Sequence, residues 1–275
     1  MMKTRIITGV VCGALLIGIL LLPPLVTYCA FALIAAVAVW EMFGVLGVRS
    51  HLLLTAASMA LALATPFFGW FGNPLFIGVT VAAYLLLLIA NQLFCHETLN
   101  VKDTGVAVFM TLLLSVGISA VAYCRTVNDY GLFYLLLCLF IAWMSDIGAY
   151  FAGSFFGKHK LCPKISPKKT VEGFIGGWLF SVGATVGFAY LYDLLVLPEG
   201  VHPVYWQIAV LAFVLCPLSV VGDLFASVIK RQTGAKDYGN IMPGHGGMMD
   251  RFDSVLFIAP LVFAALQITT LLQGV

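Results

Sequence analysis

The chain has 275 residues, 62% of them hydrophobic and only 9% charged, and its mean hydropathy is +1.06. That composition excludes a water-soluble globular domain. The formal net charge of +2 and the lack of a basic–aromatic pattern point away from nucleic acid as a partner.

Apolar runs recur along the whole chain, at 6–22, 25–40, 52–70, 75–94, 104–123, 131–152, 171–191, 205–226 and 253–273. Each approaches the ~20 residues that a helix needs to cross a ~30 Å hydrocarbon core. Spanning segments must satisfy their own backbone in lipid, so these runs are expected to be helices. The expected fold class is an all-α polytopic membrane protein with about nine transmembrane helices. The first run has the look of a signal peptide, with Lys3 and Arg5 before it. No small-x-small cleavage site precedes Pro23-Pro24, so it is read as a retained span. The two prolines make a tight hairpin to the second run.

Charge placement tests this topology. With the N-terminus in the cytoplasm and nine alternating spans, 13 of the 14 Lys and Arg residues fall on the cytoplasmic side, and only Arg125 falls outside. That is a strong positive-inside bias. It predicts a cytoplasmic N-terminus, an external C-terminus and a multi-pass protein of the plasma (inner) membrane. The seven cysteines are scattered without a C-x-x-C pair and read as small apolar packing residues. The expected organisation is one membrane domain over 1–275, with N-terminal helices in 1–130 and the catalytic helices and cytoplasmic loops in 131–275.

Chemistry concentrates in the second half. Asp146 lies near the cytoplasmic end of the sixth span and Asp223 near that of the eighth. Asp250 and Asp253 open the ninth, three residues apart and therefore on one helical face. Singly, each reads equally well as a carboxylate reaching the interface or capping a helix. Four of them at one membrane face, from three spans, suggest a divalent metal bridging phosphates. The loop 153–173 carries Lys158, Lys160, Lys164, Lys168 and Lys169. The first three suit a topology signal beside anionic lipid. In the run Ser166, Pro167, Lys168, Lys169, Thr170, Val171, Glu172, Gly173, a proline turn is expected to deliver lysines, a hydroxyl and a carboxylate to a helix N-terminus, which is a phosphate site. Gly153 to Lys158 is not a P-loop, being one residue short and lacking the Ser or Thr. The pair Gly173 and Gly177 reads as a helix-packing notch.

Residues 227–253 form a polar island with seven charged side chains: Lys230, Arg231, Lys236, Asp237, Asp250, Arg251 and Asp253. It also holds His245 and the pair Gly246-Gly247, which allows positive φ and close backbone approach to an anion. The histidines show no metal-ligand spacing, so zinc is not expected. His245 is expected to donate to a phosphate or to position the turn.

The island resembles the signature of the phosphatidate cytidylyltransferases, the CDP-diacylglycerol synthases. The matching residues are Ser227, Lys230, Arg231, Lys236 and Asp237, then Pro243, His245, Gly246, Gly247, Asp250, Arg251 and Asp253. Asp146 to Tyr150, Gly157-Lys158 and Ser166 to Gly173 resemble bacterial members. Met242 departs from the family's usual Leu, Ile or Phe but stays apolar. Close similarity runs over roughly 140 to 260.

The resemblance implies transfer of the cytidylyl group of CTP to phosphatidate, giving CDP-diacylglycerol and pyrophosphate, with Mg²⁺ as cofactor. It implies catalytic roles for Asp223, Lys230, Arg231, Asp250, Arg251 and Asp253. Metal ligation falls to Asp223, Asp250, Asp253 and Asp146. Substrate binding falls to Ser166, Lys168, Lys169, Thr170, Glu172, Lys236, Asp237, His245, Gly246 and Gly247. CTP, phosphatidate and the bilayer are the expected partners, and a homodimer is what the resemblance suggests. Two alternatives stand beside it: a related CTP-dependent lipid enzyme, such as a polyprenol kinase or a CDP-archaeol-type synthase, and an ion-coupled transporter. Carboxylates clustered at one face beside basic loops favour nucleotide chemistry over transport.

Overall fold

In a computed structural model, residues 2–244 and 246–274 are described, the side chains of residues 2–6 excepted. Each apolar run forms a helix: α1 Met2–Leu21, α2 Pro24–Leu46, α3 Leu52–Phe71, α4 Pro74–Phe94, α5 Val101–Cys124, α6 Gly131–Phe156, α7 Val171–Leu195, α8 Tyr205–Gln232 and α10 Val255–Ile268. A single turn, α9 Met249–Phe252, precedes the last of these. The chain is therefore all-α and polytopic. Among the described residues, seven helices, α2 to α8, are long and apolar enough to cross a membrane, and Ile7–Leu21 and Val255–Ile268 are shorter apolar helices.

The last run differs from the expected 253–273. Asp253 and Ser254 sit in a turn before the helix, and α10 has 14 residues. At ~1.5 Å per residue it is about 21 Å long, less than a hydrocarbon core. The chain then leaves the helix so that β4 (Leu272–Gln273) can pair antiparallel with β3 (His202–Pro203).

Local signals set the helix ends. Pro24 occupies the first turn of α2, where its missing N–H costs nothing, and Gly47 closes that helix at φ 76°. Asn73 caps α4 by accepting from the Leu75 N–H at 2.9 Å. Inside α3, Pro66 removes the donor that the Ala62 carbonyl would use, and the Thr65 hydroxyl donates to that carbonyl at 3.2 Å instead. In an apolar surround such a freed acceptor must be re-satisfied.

The chain divides into two compact units. The first comprises residues 1–123 and 232–252. Its core lies along α2, where Tyr28, Phe31, Met42 and Phe43 are fully buried. Tyr28 meets Trp70 of α3 edge-on at 5.1 Å, and the Ser58 and Tyr84 hydroxyls join α3 to α4 at 3.1 Å.

The second unit comprises residues 124–231 and 253–275. Here α6 packs against α7 through small residues. A methyl at Gly177 would stand 2.6 Å from the Ser145 carbonyl, and one at Gly148 would stand 3.0 Å from the Gly177 Cα. Gly177 is thus a notch for close helix approach, as the spacing predicts. The Ser181 hydroxyl donates to the Ile141 carbonyl at 2.9 Å across the same seam. Between α6 and α7 the chain forms a hairpin of β1 (Lys160–Cys162) and β2 (Ser166–Thr170). This corrects the expected proline turn. Ser166 to Thr170 is a strand, and Pro167 fits because the pairing is irregular there: Lys160 faces Thr170 and Cys162 faces Ser166, so 167–169 bulge out of the ladder.

Candidate active site

In the second unit, the bulge re-aims Lys168 and Lys169. Lys169 Nζ lies 2.5 Å from Asp223 Oδ2, and both side chains are about one-quarter exposed, at 23% and 25%. The contact is an ion pair, and among the described residues the same Nζ makes no hydrogen bond. Asp223 Oδ1 also accepts from the Ser227 hydroxyl one helical turn on, at 3.4 Å. Lys168, Lys169, Thr170, Asp223 and Asp146 line a cavity of about 360 Å³, with Tyr150, Leu161, Phe174 and Val220 as its apolar wall.

Next to it stands a carboxylate pair. The Ser254 hydroxyl lies 3.0 Å from Asp146 Oδ2 and 3.4 Å from Asp253 Oδ1, and the Ser254 N–H donates to Asp253 Oδ1 at 2.8 Å. The Ser254 hydroxyl proton is thus shared between the two carboxylates, with the shorter contact to Asp146. Burial, then the charges of Asp223 and Asp146, push the Asp253 carboxyl up to about 7, against the pull of Lys230 and the Ser254 N–H.

Other predicted residues of this unit are occupied by their own chain. The Thr170 hydroxyl accepts from the Gly173 N–H at 3.1 Å and so caps α7. Glu172 accepts from the Lys158 N–H at 3.0 Å and the His159 N–H at 3.1 Å, and its Oε1 lies 2.6 Å from the His159 ring. Arg231 Nε donates to the Ile165 carbonyl at 3.1 Å, which ties the hairpin tip to α8. Ser166 is half-buried at the start of β2.

In the first unit, residues 236–251 form a compact loop. Asp250 Oδ2 accepts from the Tyr238 N–H at 2.9 Å and the Gly247 N–H at 3.0 Å. Met242 and Gly246 bridge through an N–H to carbonyl bond of 3.0 Å, and Gly246 has φ 87°. Of the glycine pair, Gly246 supplies the positive φ, whereas Gly247 is needed for space. A methyl there would stand 2.5 Å from Glu41 Oε2. Lys236, Asp237, Asn240, Met242 and Arg251 line a polar cavity of about 520 Å³. His245 lies outside the described residues.

Glu41 is the residue that sequence reading missed. The expected second span stopped at 40, yet α2 runs on to Leu46 and carries Glu41 in its interior, 1% exposed. Its Oε2 accepts from the Met249 N–H at 3.0 Å. The available signal was a lone carboxylate followed by five more apolar or glycine residues.

The polar island is therefore divided. Residues 227–231 and 253 belong to the second unit, and 232–252 to the first. Among the described residues, no set of three or more His, Cys, Asp or Glu side chains stands ready to hold a metal ion. The donor chemistry still suits Mg²⁺, which takes hard oxygens and needs only one or two carboxylates beside substrate phosphates. The repulsion that Asp223 and Asp146 exert on Asp253 is what such an ion would relieve.

The sequence profile of the cytidylyltransferase family matches residues 3–269. The phosphatidate cytidylyltransferase of Staphylococcus saprophyticus is 29% identical over 264 residues, covering 95% of this chain and 97% of that one. That of Bacillus subtilis (strain 168) is 34% identical over 185 residues, 67% and 66% of the two chains. That of Staphylococcus epidermidis is 43% identical over 147 residues, so that match spans about half the length of each chain, 54% of both. With its profile match running almost from end to end, the chain belongs to the cytidylyltransferase family.

Proposed function

We propose that this membrane protein transfers the cytidylyl group of CTP to phosphatidate, giving CDP-diacylglycerol and pyrophosphate. The observation that carries the reading is the cavity beside the Lys169–Asp223 pair, where two lysines and two carboxylates meet an apolar wall in a unit of membrane-length helices. Cations for phosphate and apolar surface for acyl chains are what a phospholipid phosphate needs. The names of the relatives supply the reaction.

In the proposed mechanism, a phosphate oxygen of phosphatidate attacks the α-phosphorus of CTP. A new P–O bond forms as the bond from that phosphorus to the α,β-bridging oxygen breaks, and pyrophosphate leaves with the electron pair. The nucleophile is already anionic at neutral pH, so no strong general base is required. The protein's work is positioning and charge neutralisation. Lys168 and Lys169 meet phosphate oxygens, and Lys230, Arg231, Lys236 and Arg251 supply further positive charge. Asp146, Asp223, Asp250 and Asp253 are the proposed holders of Mg²⁺. When bound, that ion supplies positive charge to phosphate oxygens. Asp250 in addition shapes the loop that carries Arg251. Thr170 and Glu172 act by holding the hairpin and the start of α7, and for His245 the family resemblance alone proposes donation to a phosphate or positioning of the turn. A second copy of the chain is a proposed partner on the family resemblance alone.

The 13-to-1 division of cations supports a cytoplasmic active site, where CTP is found. A variant retaining Cys162, in the hairpin, as its sole cysteine tests this. A membrane-impermeant thiol reagent is expected to label it in inverted vesicles and not in intact cells. Incubation with CTP labelled at the α- or the γ-phosphate tests the reaction. The α label is expected in the lipid product and the γ label in pyrophosphate; γ label in the lipid would mean a kinase instead.

A further inference from the structure

Helix α2 carries one charged side chain among 23 residues, and it is the buried Glu41. An ionisable group within a membrane-length apolar helix is costly, and its retention calls for a role. Glu41 Oε1 makes no hydrogen bond among the described residues, so simple satisfaction of the carboxyl does not explain it.

What Glu41 touches does. Its Oε2 holds the Met249 N–H, 208 residues away in sequence. A methyl at Gly239 would overlap its Oε1, and one at Gly247 would crowd its Oε2. Two glycines on opposite arms of the 236–251 loop thus open a slot for this one side chain. Gly247 is held on both sides: its N–H by Asp250, its Cα face by Glu41. Met249 is followed two residues later by Arg251, which lines the polar cavity with Lys236.

We infer that Glu41 is a positioning residue for the nucleotide. It holds the Gly247–Met249 turn against α2 and so sets where Arg251 and Asp250 stand for the triphosphate of CTP. The cavity walled by Lys236, Asp237, Asn240 and Arg251 suits that group, because its wall is mostly polar and two cations stand against one carboxylate. This inference rests on the cytidylyltransferase reading above.

The full-length protein in nanodiscs provides the test, with two independent readouts. Glu41→Ala removes a hydrogen bond to a carboxylate and the peg that fills the slot. It is expected to raise KM for CTP about ten- to a hundredfold while KM for phosphatidate stays within about twofold. Glu41→Gln keeps a carbonyl oxygen at the same reach and should recover most of that loss. In hydrogen–deuterium exchange, Glu41→Ala should speed uptake across 238–252 and leave α3 and α4 unchanged. Where Glu41→Ala fails to insert, Glu41→Asp, one methylene short of Met249, is read in its place with the same expectations. Three results overturn the proposal: wild-type KM for CTP in Glu41→Ala (or in Glu41→Asp where it stands in), equal rises in KM for both substrates, or faster exchange throughout the first unit. If the wild-type protein transfers no cytidylyl group, the functional reading falls by itself. The exchange data then still decide whether Glu41 holds the loop.

Discussion

Asp250 and Asp223 are two of the aspartates proposed to hold the metal ion, placed in different units and held in different ways. Asp250 Oδ2 is gripped by two backbone N–H groups, of Tyr238 and Gly247. Asp223 Oδ2 faces the ammonium of Lys169, brought in by the hairpin bulge. A carboxylate fed by amides shapes the chain that feeds it. A carboxylate beside a side-chain cation leaves its charge open to exchange, since a phosphate can take the lysine and a metal ion can take the carboxylate. The difference teaches that Asp250 carries a structural task in addition to any role in charge, whereas Asp223 is free for electrostatics.

The largest effects are expected at these two positions. Asp223→Asn and Asp250→Asn should each lower turnover about a thousandfold or more, with normal membrane insertion, if both contribute to holding the divalent ion. Hydrogen–deuterium exchange with alanine at each position separates them: only Asp250→Ala, which removes the acceptor oxygen, should expose the Tyr238 and Gly247 amides. Equal exchange patterns would erase the distinction drawn above. Near-native activity in both variants would remove the metal reading altogether.

A smaller loss is expected at Lys169. Lys169→Gln leaves Asp223 half-buried without its cation and should cost about a hundredfold in kcat/KM, measured with α-labelled CTP. Lys168 lines the same cavity but is exposed. Lys168→Gln should cost about tenfold, and Lys168→Arg should restore only part, since a planar fork does not reproduce a compact ammonium. Should Lys168 prove as important as Lys169, phosphate contact rather than the Asp223 pair would dominate.

Glu172→Gln should lower activity only severalfold, about the worth of one charge-assisted bond among several, because the amide oxygen can still accept from the Lys158 and His159 N–H groups. Lys158 gives the smallest effect. Among the described residues its backbone N–H alone is engaged, so Lys158→Gln should stay within about twofold of wild type. Equal, small effects at Lys158 and Lys168 would mean that the basic loop acts as an orientation signal.

Hydropathy and signature spacing carried much of this protein into view. The helices were legible because crossing a hydrocarbon core demands a local property, a run of apolar residues, and each expected run became a helix. The Gly177 notch was legible for a similar reason, since small residues at helical spacing permit close approach. The family was legible because its charged residues sit close together in the chain. Hairpin geometry was not: the bulge that aims Lys169 depends on pairing between 160–162 and 166–170, and Pro167 alone reads as a turn. Nor could proximity in sequence assign the island, whose 232–252 stretch packs with the first helices while Asp223 and Asp253 stay with α6, α8 and α10. Glu41 is the clearest case. Its composition signal is one carboxylate in an apolar run, and its meaning comes from Met249, Gly239 and Gly247, some 200 residues on. Local propensity determines which segments cross the bilayer. Which side chains meet is decided by helix packing, since contacts between distant segments follow from three-dimensional complementarity that no single stretch of sequence contains.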